Sequence, residues 1–201
     1  MDAHDTSRKA LRRQLVDRRL ALPLDDHARF SASICAQIRE HFAQLSTRRV
    51  AFCWPFNNEP DLRPLIESWI ALGEPGFMAL LPVVHAPRRP LGFREWMPGC
   101  AMMIDSYGIP TPATGEFIEP QALLIPANGF DSAGYRIGYG GGFFDRTLAA
   151  LGPETLRIGV GFELARLDSI HPQAHDVPLD VVVTEAGVFR PEHQIRHRGP
   201  E

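Results

Sequence analysis

Leu124-Ile125-Pro126-Ala127-Asn128-Gly129-Phe130-Asp131, continued by Gly134-Tyr135-Arg136-Ile137-Gly138-Tyr139-Gly140-Gly141-Gly142-Phe143-Phe144-Asp145-Arg146, is the stretch on which the reading of the fold turns. An apolar run leads in, a helical pattern leads out, and five of the 17 glycines lie between positions 134 and 142. Glycines let backbone N–H groups come close to an anion, and the N-terminus of the following helix adds positive potential. Arg136 at the entrance can grip a phosphate with its fork of donors. Asp145, just past the glycines, has the chemistry to hold a magnesium ion bridging phosphate oxygens. No Gly-Lys-Ser/Thr follows, so this is not a Walker A loop. No acidic residue stands ~20 positions on at a strand end, so it is a poor dinucleotide fingerprint. Glycine spacing alone leaves a second reading open, a glycine-rich hairpin or turn with Asp145 as a helix cap.

Upstream, Thr6 or Ser7 can cap a helix to about Leu22, with Leu11, Leu15 and Leu22 on one face. Its other face carries Arg8, Lys9, Arg12, Arg13, Arg18 and Arg19. Pro23 stops it, and Asp25 or Asp26 caps a second helix whose stripe is Phe30, Ile34, Ile38, Phe42 and Leu45. The period then changes. Val50–Trp54 reads as a buried strand and Pro55–Pro60 as the loop leaving it. Asp61 caps a third helix that Gly73 ends. Further strands are expected at Phe77–Pro82, Leu91–Trp96, Ala122–Pro126, Leu156–Phe162 and Val181–Thr184, with a helix from about Phe143 to Leu151. Strands alternating with helices, several apolar on both faces, predict a layered α/β fold with a mostly parallel sheet and helices on both faces. Ligands then belong outside the strand C-termini. The polar tail after about residue 190 is expected to fray, and nothing marks a boundary inside residues 1–201, so a single domain is expected.

Bulk properties narrow the function. The 201 residues carry a net charge of −3 with 44% hydrophobic and 22% charged residues, which excludes a disordered chain and a polybasic nucleic-acid arm. Of the 21 basic residues, 20 are arginine and one is lysine, Lys9. No apolar run reaches the ~18–20 residues of a membrane helix, and the N-terminal segment has no secretory pattern. Cys35, Cys53 and Cys100 form no Cys-x-x-Cys and no framework of pairs. A soluble cytoplasmic protein with reduced thiols is expected. His171 and His175 are four apart, but Pro172 and the lack of a placed Glu argue against zinc. Cys53 has no evident base and makes a poor candidate nucleophile.

The whole glycine string resembles the signature of the 5-formyltetrahydrofolate cyclo-ligase (methenyltetrahydrofolate synthetase) family, Phe-Asp-x-x-Gly-x-Arg-Leu-Gly-x-Gly-x-Gly-Tyr-Tyr-Asp-Arg. Phe130, Asp131, Gly134, Arg136, Gly138, Gly140, Gly142, Asp145 and Arg146 match; Ile137 and Phe143-Phe144 depart from it. The family's second half recurs as Ile158-Gly159-Val160-Gly161-Phe162-Glu163, Pro172, His175-Asp176-Val177-Pro178-Leu179-Asp180 and Val183-Thr184-Glu185. Arg8-Lys9-Ala10-Leu11-Arg12 stands in register with its N-terminal Lys-x-x-Leu-Arg, which puts Arg8 at the lysine position.

The resemblance implies ATP- and magnesium-dependent closure of 5-formyltetrahydrofolate to 5,10-methenyltetrahydrofolate, with release of ADP and phosphate. It implies ATP as co-substrate and Mg2+ as cofactor. Arg136 and Asp145 would be catalytic, and Asp145 and Asp176 the metal ligands. ATP would be bound by Arg8, Lys9, Arg12, Arg136, Ile137, Gly138, Tyr139, Gly140, Gly141, Gly142, Phe143 and Phe144. Trp54, Glu59, Tyr107 and Phe143 would bind the substrate, Glu59 accepting from pterin N–H groups and Tyr107 stacking on the ring. Gly141 stands where some members have lysine, and Phe143-Phe144 lack the two tyrosine hydroxyls; both changes are read as tolerated. The partners implied are the reduced folate and ATP, on a monomer with no nucleic acid and no membrane. A non-catalytic folate- or nucleotide-binding relative with a regulatory role is the alternative. A basic-helix nucleic-acid binder and a different ATP-dependent ligase are more distant ones.

Overall fold

The computed structural model describes residues 3–191; the expected fraying of the tail concerns residues largely outside these. The chain opens with helix α1 (Ala3–Leu20) and helix α2 (Leu24–His41), followed by a 3-10 turn at Ala43–Thr47 and strand β1 (Arg49–Ala51). Helix α3 (Arg63–Leu72), strand β2 (Met78–Val83), strand β3 (Gly92–Glu95) and the hairpin β4 (Met102–Ile104) and β5 (Pro110–Pro112) come next. Strand β6 (Ala122–Pro126) leads into the short β7 (Gly129–Asp131) and β8 (Arg136–Ile137), then helix α4 (Phe143–Ala150). Strand β9 (Leu156–Val160), the short β10 (Arg166–Leu167), β11 (Val181–Thr184) and β12 (Gly187–Phe189) finish the order.

Seven strands form the main sheet in the order β12-β11-β9-β6-β1-β2-β3. Its five inner strands pair in parallel, and β3 and β12 close the edges antiparallel. Side chains alternate faces as the pleat requires. Val50, Leu81, Leu124, Ile158 and Val183 meet Ile34, Ile38, Leu65 and Trp69 from α2 and α3 on one side. Ala51, Leu80, Leu123, Ile125 and Val182 meet Leu148 of α4, with Phe143 and Phe144, on the other. This is the layered, mostly parallel α/β architecture with helices on both faces.

Several local readings change. Helix α1 already runs at Thr6 and Ser7, so neither caps it, and it stops at Leu20, leaving Leu22 to pack on the core from the connection. Helix α2 has Pro23 at its N-cap, and Asp25 and Asp26 lie in its first turn, where negative charge favours the helix N-terminus without capping it. Asp61 precedes the Leu62 cap of α3, yet its carboxylate accepts the Arg63 N–H at 3.0 Å and so serves the same end. Gly73 ends α3 in the left-handed conformation at φ 65°. Strands β4, β5, β7, β8, β10 and β12 were not anticipated. Each has two or three residues, too few for a period to show. Strands β7 and β8 make the first half of the glycine string a hairpin in a second, three-stranded sheet with β10, and only its second half is the loop before α4.

Gly159 is required by packing. A Cβ there would fall 2.5 Å from Leu179 Cδ1 and 3.3 Å from Val182 Cγ2. Gly159→Ala is expected to lower unfolding free energy by about 1–3 kcal/mol through overpacking, read from the midpoint of urea denaturation.

The topology also decides where a ligand goes. From β1 the chain builds outward to β2 on one side, then returns to β6 and builds outward on the other. The loops leaving β1 and β6 therefore diverge from adjacent strand ends, which opens a crevice at their C-termini.

Candidate functional site

A cavity of about 480 Å³ occupies this crevice, within the range of small-molecule sites. Cys53, Trp54, Phe56 and Glu59 line it from the β1 loop, Arg136 and residues 138–145 from the glycine segment, and Arg8 and Arg12 from α1. Asp105, Tyr107, Ile109 and Pro110 reach it from the β4–β5 hairpin, and Gln173, His175 and Asp176 from the segment before β11.

One wall is charged. Arg136 lies buried with Nη2 3.3 Å from Asp145 Oδ1, and burial lowers its basicity, against which Asp145 and then Asp176 act. Arg8 spans to Asp176 with two bonds, at 2.8 and 3.4 Å. Desolvation alone would raise the Asp176 pKa, but Arg8, the Gln173 N–H and His175 outweigh it and hold the carboxyl below its usual range. Arg12 donates from Nε to the Gly138 carbonyl at 2.7 Å, and Arg146 from Nη2 to that of Gly141 at 2.7 Å.

The glycines make this approach physical. Gly140 is at φ 93°, and a Cβ there would lie 3.0 Å from the Arg12 guanidinium carbon. One at Gly138 would lie 2.9 Å from Arg136 Nη1. Guanidinium groups thus fold directly against the loop backbone, concentrating positive charge where the α4 N-terminus points. The buried Nε of Arg136, which lines the cavity, makes no hydrogen bond among the described residues.

The other wall is aromatic and carries one acid. Glu59 is buried; Oε2 accepts from the Phe56 N–H at 3.1 Å and Oε1 from the Tyr139 hydroxyl at 2.9 Å. Burial pushes its pKa up, against Arg19, the Phe56 N–H and the Tyr139 hydroxyl. Trp54 packs edge-on against Trp96, with the Arg63 guanidinium 4.9 Å from its ring centre. Tyr107, largely exposed, meets Phe143 edge-to-face at 5.6 Å across the mouth.

Most of the anticipated residues are brought together here, with two exceptions. Lys9 is exposed and lies off the cavity, because one residue of helix turns it away from the face shared by Arg8 and Arg12. Ile137 is fully buried in the small cluster with Leu15 and Ile170, so it supports the loop from behind. Burial pushes the Cys53 thiol well above its ordinary range and Glu59 adds to this, which keeps it a thiol rather than a nucleophilic thiolate. Among the described residues no three His, Cys, Asp or Glu side chains gather as a metal cage.

Arg19 was legible only as one member of the basic helix face, with no role at the site. It is buried, donating from Nε to the Asn57 carbonyl (2.8 Å), from Nη1 to Asn128 Oδ1 (2.5 Å) and from Nη2 to the Tyr139 hydroxyl (2.7 Å). Its only sequence signal was membership of the basic face, which Arg13 and Arg18 share while staying exposed.

Comparison with known proteins places this geometry in context. Residues 4–185 match the family model described as the 5-formyltetrahydrofolate cyclo-ligase family. The 5-formyltetrahydrofolate cyclo-ligase of Mycolicibacterium smegmatis is 31% identical over 150 residues, 70% of this chain and 75% of that protein. Its counterpart in Escherichia coli K12 is 27% identical over 179 residues, 86% of this chain and 97% of that one. The structure of Aquifex aeolicus 5,10-methenyltetrahydrofolate synthetase superimposes with a TM-score of 0.80 at 27% identity, over 96% of both chains.

Proposed function

The chain belongs to the 5-formyltetrahydrofolate cyclo-ligase family, and from that premise we propose that it is the enzyme that closes 5-formyltetrahydrofolate to 5,10-methenyltetrahydrofolate at the expense of ATP. The observation that carries the reading is one cavity with two unlike walls: clustered guanidiniums on a glycine loop, and a buried carboxylate among aromatic rings. The first suits a triphosphate, the second a pterin with its N–H donors.

The formyl oxygen is a poor leaving group. Transfer of the γ-phosphoryl from ATP to that oxygen releases ADP and leaves an imidate phosphate. N10 then attacks the formyl carbon and gives up its proton, the C–O bond breaks, and inorganic phosphate departs with that proton. The protein's work is alignment and charge neutralisation. Arg8, Arg12 and Arg136 would face the phosphates with the amides of residues 138–142, while Glu59, Trp54 and Tyr107 hold the pterin. Phe143 and Phe144 would form the partition between the two pockets. Asp145 and Asp176 would hold a magnesium ion, each giving up part of its present pairing with Arg136 and Arg8, since hard carboxylate oxygens are the ligands such an ion takes. When bound, magnesium neutralises phosphate charge. The enzyme is read as a cytoplasmic monomer of one-carbon metabolism; among the described residues no helix is long and apolar enough to cross a membrane.

Incubation with 5-formyltetrahydrofolate, ATP and magnesium should raise the absorbance of the methenyl product, with ADP and phosphate released in equal amounts. Ligand binding without product would instead identify a non-catalytic relative. Arg8→Ala should weaken ATP binding about tenfold or more, the value of a charge-assisted hydrogen bond. Lys9→Ala should change it less than about twofold, as for an exposed charge. Equilibrium titration with ATP checks both.

A further inference from the structure

The Tyr139 side chain belongs to the glycine loop but turns away from the guanidinium wall. Its hydroxyl donates to Glu59 Oε1 at 2.9 Å, lies 3.5 Å from the Phe56 carbonyl, and accepts from Arg19 Nη2 at 2.7 Å. Its ring meets Phe56 edge-on at 5.9 Å. Arg19 ties down the same β1 loop through the Asn57 carbonyl, and Asn58 Nδ2 donates back to the Arg19 carbonyl at 3.1 Å. Asn57 and Asn58 both sit at positive φ, 49° and 61°, a left-handed turn that asparagine tolerates better than most side chains. One hydroxyl therefore joins the loop assigned to the nucleotide to the loop that presents Glu59, with a buried guanidinium behind it.

We propose that Tyr139 couples the two substrate subsites, its hydroxyl transmitting the order imposed on the glycine loop by a nucleotide to the Glu59 loop that receives the folate, and that Arg19 is the residue positioning this link. The proposal rests on the ATP-and-folate reading of the cavity. A nucleotide fixing residues 138–142 fixes the Tyr139 backbone, which holds the hydroxyl on Glu59 and Phe56; a bound folate holds the same bond from the other side. Two ligands that each order a shared element bind more tightly together than alone, and linkage makes the factor the same for both. Energy passes through a contact the substrates do not themselves make.

The test is a binding square by calorimetry. Folate affinity is measured with and without a non-hydrolysable ATP analogue and magnesium, and analogue affinity with and without folate. The wild type should show reciprocal synergy of about 5- to 150-fold, the usual range of such coupling. Tyr139→Phe keeps the ring and its contact with Phe56 but loses the hydroxyl, and its synergy should fall below about half the wild-type factor. Arg19→Lys retains the charge and loses the fork; it should give an intermediate factor, whereas a merely structural role would lower the thermal midpoint and leave the factor unchanged. Full synergy in Tyr139→Phe, or none in the wild type, overturns the proposal while leaving the functional reading intact. Failure of the wild type to bind either ligand overturns that reading, and the proposal with it.

Discussion

Asp145→Asn is expected to lower kcat about 10²–10³-fold, the loss typical when a preorganised group acting on developing charge is removed. The folded state should scarcely notice. Asp145 sits in the first turn of α4, where a negative charge contributes about 0.3–1 kcal/mol, and its side chain is partly exposed. Its partner Arg136 retains the field of Asp176 after the change. The thermal midpoint should therefore move by only a few degrees, which separates lost chemistry from lost structure. Titration with magnesium at fixed ATP should show a higher half-saturating concentration in the variant. Unchanged turnover and unchanged magnesium dependence would show that Asp145 holds no metal and serves only the helix and Arg136.

The second large effect is expected at Glu59. Glu59→Gln should raise KM for the folate about 10- to 100-fold, the worth of a hydrogen bond to a charged acceptor, while KM for ATP changes much less. The pH profile adds an independent signature. The folded pKa of Glu59 is raised, chiefly by burial, and the form proposed to accept from the folate is the carboxylate. As pH falls, the wild-type KM for folate should begin to climb at a higher pH than an exposed glutamate would dictate; Glu59→Gln should lack that limb. A raised carboxyl pKa means that the charged form costs folding stability, and this cost is present above the folded pKa and relieved as pH falls below it. Neutral-pH stability should nevertheless fall, because Gln presents one oxygen to the two donors that Glu59 accepts from and Arg19 loses its ion partner at 3.9 Å, while Arg19 keeps its acceptors at Asn57, Asn128 and Tyr139. An identical pH profile in the two proteins would remove Glu59 from folate recognition.

The fold was legible where long elements repeat one physical pattern. Ala122–Pro126 and Val181–Thr184 are apolar on both faces because helices cover both sides of the sheet, and the sequence run ends where the strand ends. Of the Phe30-Ile34-Ile38-Phe42-Leu45 stripe, Ile34 and Ile38 are buried on α2 and Phe30 is half-buried, whereas Phe42 and Leu45 are buried beyond the end of the helix at His41. Short strands stayed hidden because Pro110–Pro112 and Arg136–Ile137 are built from tertiary hydrogen bonds, with nothing periodic in them. The site was legible as a set of residues through the family likeness, and much less as an arrangement. Register with the family motif favours Arg8 over Lys9, and the rotation of α1 against the cavity sets Lys9 apart from Arg8 and Arg12. Arg19 shows the limit more sharply: burying a guanidinium requires acceptors from three distant segments, and no local pattern announces them.

The bonds of Arg8 to Asp176 join residues 168 positions apart, and those of Arg12 to Gly138 span 126. A ribosome adding roughly 5–20 residues per second has released the first helix on the order of ten seconds before Asp176 exists. During that interval Arg8 has no counterpart, although the Gly138 carbonyl that receives Arg12 is made earlier, and the cavity lacks the side supplied by Gln173, His175 and Asp176. A nascent chain, or one interrupted before Asp176, can therefore gather much of its sheet without completing the charged wall of the cavity. The arginine contacts of the first helix are therefore completed in two stages, at Gly138 and then at Asp176.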